Sequence, residues 1–184
     1  NDSSVPFKWR THYYQTIYKE GKEYPIYIQA PTQDMNGHTV LLDANIEAEG
    51  KSYYHVAGFE VTSDNQILAF AEDTLSRRIY TIRFKNLVTS DYYSWAIPQT
   101  SGNMIWSNDG KYLFFVEIDQ TTLRPWRVKR WSMENPTNEA VTVFTENDET
   151  YYVSISTAMS GRYLFINSSS TLTTEEQIID LDNP

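Results

Sequence analysis

The chain has 184 residues, no cysteine and a formal net charge of −9 at pH 7. That length supplies one sizeable domain. The charge argues against a nucleic-acid partner and favours neutral or basic ligands, while the missing thiols exclude disulfides and cysteine nucleophiles and fit a reducing compartment such as the cytoplasm.

No apolar run approaches the roughly 18 residues of a membrane span, and no signal peptide opens the chain, so no membrane partner is expected. Aromatic residues make up 15% of the chain, with 14 Tyr and 5 Trp, which suits strands.

Residues 1–4 are polar and are expected to fray. Phe7, Trp9 and residues 13–18 predict one or two strands. Residues 19–23 read as a hairpin turn in which Gly21 supplies a positive φ. Residues 24–28 return as a strand, with Pro25 at its start or on an edge, because proline donates nothing to a ladder. Residues 32–37 form a loop, residues 40–43 an outer strand, and residues 44–51 a polar stretch with room for one helical turn.

Residues 59–87 read as three strands and two tight turns. Phe59 and Val61 alternate with polar neighbours, the mark of a half-buried strand. Ser63-Asp64-Asn65 suits a turn, since Asp and Asn side chains bond nearby backbone. Ile67-Leu68-Ala69-Phe70-Ala71 is apolar without alternation and too short for a helix, so it predicts a strand buried on both faces. Tyr80, Ile82 and Phe84 then alternate with Thr81, Arg83 and Lys85, and residues 92–97 make an outer strand.

This unit recurs. Asn108-Asp109-Gly110 takes the turn, Tyr112-Leu113-Phe114-Phe115-Val116 the buried run, and Trp126, Val128 and Arg130 open the next strand. Residues 141–144 follow as an outer strand. Ser160-Gly161, then Tyr163-Leu164-Phe165-Ile166, begin it again, with residues 177–181 after them. The matched leucines Leu68, Leu113 and Leu164 give steps of 45 (113 − 68) and 51 (164 − 113). Periods of about 40–50 residues with four strands each mark β-propeller blades, and a neighbour on each face explains the unalternated runs. The expected fold is therefore all-β, with blades at about 5–44, 54–97, 103–145 and 151–184, the last stopping after its third strand.

Chemistry is sparse. No Gly-x-Ser-x-Gly elbow presents a nucleophile, no glycine-rich loop cradles phosphate, and no catalytic residue, metal ligand or cofactor site is assigned. His12, His38 and His55 have no second ligand at metal spacing and read as structural or surface residues. The acidic pairs Asp148-Glu149 and Glu175-Glu176 read as solvated turn and strand-start charge that blocks edge pairing, rather than as acid–base dyads. One constellation is more pointed. Glu72 and Asp73 face Arg77 and Arg78 over a single hairpin, and bidentate pairs are expected there, with Asp73 on Arg78. Such pairs staple the hairpin; as functional candidates the four residues would face a central channel or an adjoining domain.

These residues also carry a resemblance. The stretch Ala71-Glu72-Asp73-Thr74-Leu75-Ser76-Arg77-Arg78-Ile79-Tyr80 resembles the second-blade signature of the oligopeptidase B group of the prolyl oligopeptidase family. Glu20-Gly21-Lys22-Glu23-Tyr24-Pro25-Ile26-Tyr27 is similar to its first blade, Thr122-Leu123-Arg124-Pro125 to a third-blade hairpin, and Asp148-Glu149-Thr150-Tyr151-Tyr152-Val153-Ser154 to the start of its fourth. The likeness spans nearly the whole chain in one register and departs at Glu149, where Asp is expected, and at the variable Leu123-Arg124-Pro125. It implies a two-domain serine peptidase in which a seven-bladed propeller caps an α/β-hydrolase domain and restricts access to short peptides, cleaved after Arg or Lys. The resemblance places the triad outside this chain, which would then be about the first half of the propeller and inactive alone.

Two other readings fit the residues. One is a stand-alone propeller serving protein interaction, which the unfinished fourth blade disfavours. The other is a closed four-bladed ring in which residues 5–9 complete the last blade. An open half-ring would leave apolar faces uncovered, so self-association is expected, by face-to-face packing rather than strand addition.

Overall fold

A computed structural model describes residues 3–184. Two compact units divide it: residues up to His55 with Thr74–Ser76, and Val56–Asp73 with Arg77–Pro184. Asn1 and Asp2, half of the stretch expected to fray, lie outside the described residues. Ser3 and Ser4 are tied down: Ser3 bridges Ile17, and the Ser4 nitrogen donates to the Thr16 carbonyl at 2.8 Å.

The first unit is built on one antiparallel sheet of β1 (Phe7–Trp9), β2 (His12–Ile17), β3 (Ile26–Ala30) and β4 (Thr39–Asp43), in that order. Ile26, Ile28, Ala30 and Met35 form its core cluster, with Tyr13 and Ile17 packed on it. β1 pairs with β2, from Phe7 opposite Tyr14 to Trp9 opposite His12. The turn α1 (Ala44–Glu47) is capped by Asp43, whose carboxylate accepts from the Asn45 nitrogen. The Asn45 amide then grips Tyr24 as a strand would: it donates to the Tyr24 carbonyl at 2.8 Å and accepts from the Tyr24 nitrogen at 2.9 Å.

The second unit holds most of β5 (His55–Val61), then β6 (Ile67–Asp73), β7 (Tyr80–Asn86), β8 (Tyr92–Trp106), β9 (Tyr112–Ile118), β10 (Pro125–Ser132) and β11 (Val141–Thr145). These seven form one antiparallel sheet in reverse chain order. A second sheet follows, of β12 (Tyr152–Thr157), β13 (Tyr163–Ser169) and β14 (Thr174–Asp180). The break expected between residues 97 and 103 is absent. β8 instead runs unbroken from a pairing with β7 to a pairing with β9, and Thr100 is partnered on both sides, by Tyr80 and Glu117. Pro98 and Gly102 suggest a linker, but left-handed φ values at Gln99 (62°) and Gly102 (85°) re-aim the strand without ending it.

The unalternated runs behave as expected in the middle of this unit. Leu68, Ala69, Phe70 and Ala71 are all buried, as are Leu113, Phe114, Phe115 and Val116. Alternate side chains of β9 go to different cores. Leu113 and Phe115 join Ala69, Ile82, Phe84 and Trp106, while Phe114 and Val116 join Val153, Ile155, Leu164 and Ile166. In β13 the run is buried on one face only: Leu164 and Ile166 are covered, and Tyr163 is exposed. The packing cluster on that strand lies to one side, where β8, β9 and β10 supply Ile105, Phe114, Val116 and Val128.

The repeat extends to individual hydrogen bonds. The Thr62 hydroxyl donates to Asp64 at 2.6 Å and accepts from the Ile67 nitrogen at 3.0 Å. Ser107 does the same with Asp109 (2.6 Å) and the Tyr112 nitrogen (3.0 Å). The third turn has Ala158 and Ser160 in these places; it lacks the hydroxyl–carboxylate pair but keeps the backbone bonds, Ala158 nitrogen to Tyr163 carbonyl and Gly161 nitrogen to Ala158 carbonyl, and a bond from the Arg162 nitrogen to Ser160 Oγ at 3.3 Å. Burial raises the Asp109 pKa, but the bonds from Ser107 and the Lys111 nitrogen outweigh it and leave the carboxyl below its ordinary range. A lowered folded-state pKa contributes stability above the unfolded value of about 3.9, and that contribution is lost as pH falls through the folded value. Asp109→Asn is therefore expected to be less stable than the parent at neutral pH, with the gap closing in acid. Equal gaps at both ends of a pH series of urea melts would contradict this.

Candidate functional site

The hairpin singled out by the sequence ends β6 and opens β7. Its two acids do different jobs because successive strand residues point to opposite faces. Glu72, 9% exposed, meets the Arg83 guanidinium at 3.3 Å. That guanidinium also lies over the rings of Tyr92 (4.9 Å) and Phe70 (5.4 Å), a placement that favours a cation. Asp73, 2% exposed, accepts from the backbone nitrogens of Arg77 (2.9 Å) and Arg78 (2.8 Å). Ser76 and Arg78 have left-handed φ values of 57° and 56°, so the carboxylate holds a strained turn. The Arg77 and Arg78 side chains are exposed. The expected bidentate staple is thus corrected. Among the described residues no ion pair joins Asp73 to Arg78; the turn geometry offers the carboxylate main-chain N–H groups and sends both guanidinium groups to solvent.

This arrangement sets a prediction. Asp73→Ala should cost about 1–3 kcal/mol, since two part-buried main-chain donors would lose their acceptor. Arg78→Gln should stay within about 0.5 kcal/mol, as surface changes do. A double-mutant cycle of Asp73→Asn with Arg78→Gln should give coupling near zero; coupling above about 1 kcal/mol would reinstate the side-chain pair.

Arginine 124 is the residue whose role sequence reasoning misses. It is 6% exposed, and its Nη1 donates to the carbonyls of Asp148 (2.8 Å) and Tyr151 (2.7 Å) while Nη2 donates to that of Glu146 (3.2 Å). It therefore ties the β9–β10 hairpin to the connection between β11 and β12, the two places where the third- and fourth-blade motifs lie. Its signal was an arginine just before Pro125 at a tip where a solvated side chain is the ordinary choice. The Asp119 and Asp148 carboxyls are lowered first by bonds from the backbone and side chain of Thr122 and of Thr150, and also by the Arg124 charge. Held ionised, Asp148 is no proton donor near neutrality, in keeping with a turn role for Asp148-Glu149. Glu175 and Glu176 are exposed at the start of β14.

Side-chain amides stitch neighbouring strands of the second unit. Asn103 donates to the Ile155 carbonyl at 3.0 Å and accepts from its nitrogen at 2.7 Å, standing in for a strand between β8 and β12. Asn108 donates to the Gly161 carbonyl (3.1 Å) and to Asp182 (2.6 Å), and its carbonyl accepts from the Ser63 hydroxyl at 2.6 Å. Trp106 Nε1 donates to the Glu60 carbonyl at 3.2 Å.

Where β5 approaches the second half of β8, a cleft of about 320 Å³ opens, lined by Ala57, Gly58, Phe59 and Glu60 on one side and Ser101, Gly102, Asn103 and Met104 on the other. Gly102 is essential to it. A Cβ there would stand 2.6 Å from the Ala57 Cβ. His38 Nδ1 rests on the Met35 carbonyl and His12 Nδ1 on the Thr11 hydroxyl. Among the described residues no group of three or more His, Cys, Asp or Glu is placed to hold a metal ion.

Comparison with known proteins adds to this geometry. A model of the "Prolyl oligopeptidase, N-terminal beta-propeller domain" family matches residues 1–184. Dipeptidyl aminopeptidase BI of Pseudoxanthomonas mexicana is 35% identical over 100% of the chain and 28% of its own length. Protease 2 of Moraxella lacunata is 31% identical over 100% of the chain and again 28% of its own length, so the chain spans little more than a quarter of these relatives. Oligopeptidase B from Leishmania major superposes with a TM-score of 0.93 at 28% identity, covering 100% of the chain and 26% of that structure. Oligopeptidase B from Trypanosoma brucei gives 0.86 at 24% identity, over 98% of the chain and 25% of that structure, a likeness of fold.

Proposed function

Since this chain belongs to the prolyl oligopeptidase family, as part of its N-terminal β-propeller domain, we propose that it is the non-catalytic, substrate-gating portion of an oligopeptidase B-like serine peptidase. The family is one of multi-domain serine peptidases whose other domain is the catalytic hydrolase. In this reading the parent cleaves short peptides after Arg or Lys, in the cytoplasm, and the chain alone hydrolyses nothing. The observation that carries it is the match to the Leishmania major oligopeptidase B propeller over the whole chain. A net charge of −9 on a part that substrates must pass supports basic peptides over acidic ones. The blades are then residues 5–44, 54–97, 103–145 and 151–184, with β8 shared between the second and third, and any inward-facing role of Glu72, Asp73, Arg77 and Arg78 rests with the exposed Arg77 and Arg78.

The test is a pair of assays on Arg-amide and Pro-amide chromogenic substrates. The parent protein is expected to turn over the Arg substrate with much the higher kcat/KM, and the 184-residue chain to show no turnover. Preference for the Pro substrate would overturn the basic specificity. Turnover by the isolated chain that survives repurification and is blocked by a serine-directed inhibitor would overturn the non-catalytic role.

A further inference from the structure

We propose that Asn36 is a self-modifying position: its side-chain amide is lost through attack by the backbone nitrogen of Gly37, giving aspartate and isoaspartate. Asn36–Gly37 is the only Asn–Gly step in the sequence. It lies in the loop between β3 and β4, with both residues exposed. Gly37 has no Cβ to hinder its nitrogen, its φ is 67°, and nothing stands within 4 Å of where a Cβ would be. Among the described residues the Gly37 nitrogen donates to no acceptor.

The Asp109–Gly110 step shows what protection looks like. There the Gly110 nitrogen donates to the Ser107 carbonyl at 3.0 Å, and the Asp109 carboxylate is held by Ser107 (2.6 Å) and the Lys111 nitrogen (3.0 Å). The nucleophile is occupied and the acceptor carbon belongs to an anion, a poor electrophile. At Asn36 the nucleophile is unoccupied, and the side chain, though its Nδ2 donates to Asp34, is a neutral amide and not an anion.

The steps balance as follows. The Gly37 nitrogen gives up its proton and bonds to Asn36 Cγ. The Cγ–Nδ2 bond breaks, and the nitrogen departs as ammonia, leaving a cyclic succinimide. Water opens the ring at one carbonyl or the other, and a carboxylate replaces the amide. Only water is consumed.

The consequence is local and electrostatic. Asn36 Nδ2 now donates to Asp34 Oδ2 at 2.6 Å, and the Asn36 nitrogen to Asp34 Oδ1 at 3.0 Å. Bonds from Thr32 and from the Asn36 backbone hold the Asp34 carboxyl below its ordinary range, so it stays an anion. Modification replaces a donor with a second carboxylate at the same place. The loop is what keeps Met35, 8% exposed, in the core cluster with Ile26, Ile28 and Ala30. Loss of amide therefore loosens a core contact of the first unit, and the molecule ages at one defined point.

The test is incubation of the 184-residue chain at mildly alkaline pH, followed by peptide mapping and methylation with protein isoaspartyl methyltransferase. The peptide containing residues 36–37 is expected to gain the mass that exchanges NH2 for OH, faster as pH rises, and to accept methyl groups. Asn36→Gln and Gly37→Ala should both suppress the gain, and Asn36→Asp should melt at a lower temperature than the unmodified chain. An unchanged mass at residues 36–37, or an equal rate in Gly37→Ala, overturns the proposal. Two variants blocking different halves of the reaction keep the result readable if either folds poorly.

Discussion

Replacing Gly102 with alanine is expected to destabilise the chain by about 2–5 kcal/mol, a large share of the roughly 5–15 kcal/mol that holds an ordinary domain together. Two costs add. A φ of 85° is left-handed, which costs an L-residue about 1–2 kcal/mol. The new Cβ would also sit 2.6 Å from the Ala57 Cβ and 3.4 Å from that of Ala71, so β5 and β8 must part or bend, at about 1–3 kcal/mol. The two can be separated. Ala57→Gly in the same chain removes the collision but leaves the dihedral, so the double variant should recover part of the loss and not all of it. Urea melts of the parent, both single variants and the double variant measure this. A Gly102→Ala protein that melts with the parent would mean that the strands move apart freely, and that the close approach has no energetic meaning.

The second large effect belongs to Arg124. Methionine keeps the length and apolar stem but leaves the carbonyls of Glu146, Asp148 and Tyr151 without their donor. Part-buried carbonyls that lose a charged donor should cost about 1–3 kcal/mol together. Lysine should recover only part, because a single ammonium cannot reproduce the planar fork that reaches three acceptors. Hydrogen exchange should locate the loss, with faster exchange at residues 146–152 and little change at β6 and β7. Faster exchange spread evenly over the second unit would mean that Arg124 supports the core in general and not this connection.

The architecture was legible because its signals were redundant. Three leucines at matched steps, three turn motifs at the same steps, and apolar runs flanked by turns all pointed to stacked sheets, and the packing of Leu113 against one core and Phe114 against the other follows from that pattern. The site was less legible for a physical reason. Residue type tells which groups can bond but not whether side chain or backbone will do it. Asp73 beside Arg77 and Arg78 reads as an ion pair; left-handed dihedrals at Ser76 and Arg78 turn it into a backbone clamp. Arg124 reads as a solvated tip residue, because its partners are carbonyls more than 20 positions away, at Glu146, Asp148 and Tyr151. The repeat places a blade boundary between residues 97 and 103, and only the pairing of Thr100 on both flanks shows that strand β8 continues through it.

That continuity bears on how the molecule comes apart. Within the second unit the chain passes between consecutive four-strand repeats in two ways. At residues 98–102 it crosses as a strand, hydrogen-bonded before and after; at residues 146–151 it crosses as a loop whose carbonyls are latched by one arginine. A crossing made of ladder bonds cannot hinge without breaking them in series, so β5 to β11 should behave as a single foldon. The latched loop is held instead by side chains and single bonds: Arg124, the Glu146 nitrogen on the Trp126 carbonyl, and the Ser168 hydroxyl on the Glu146 carboxylate. Opening motions within the second unit should therefore begin beside Arg124, and a disulfide bridging that join would slow them while one placed across residues 98–102 would change nothing.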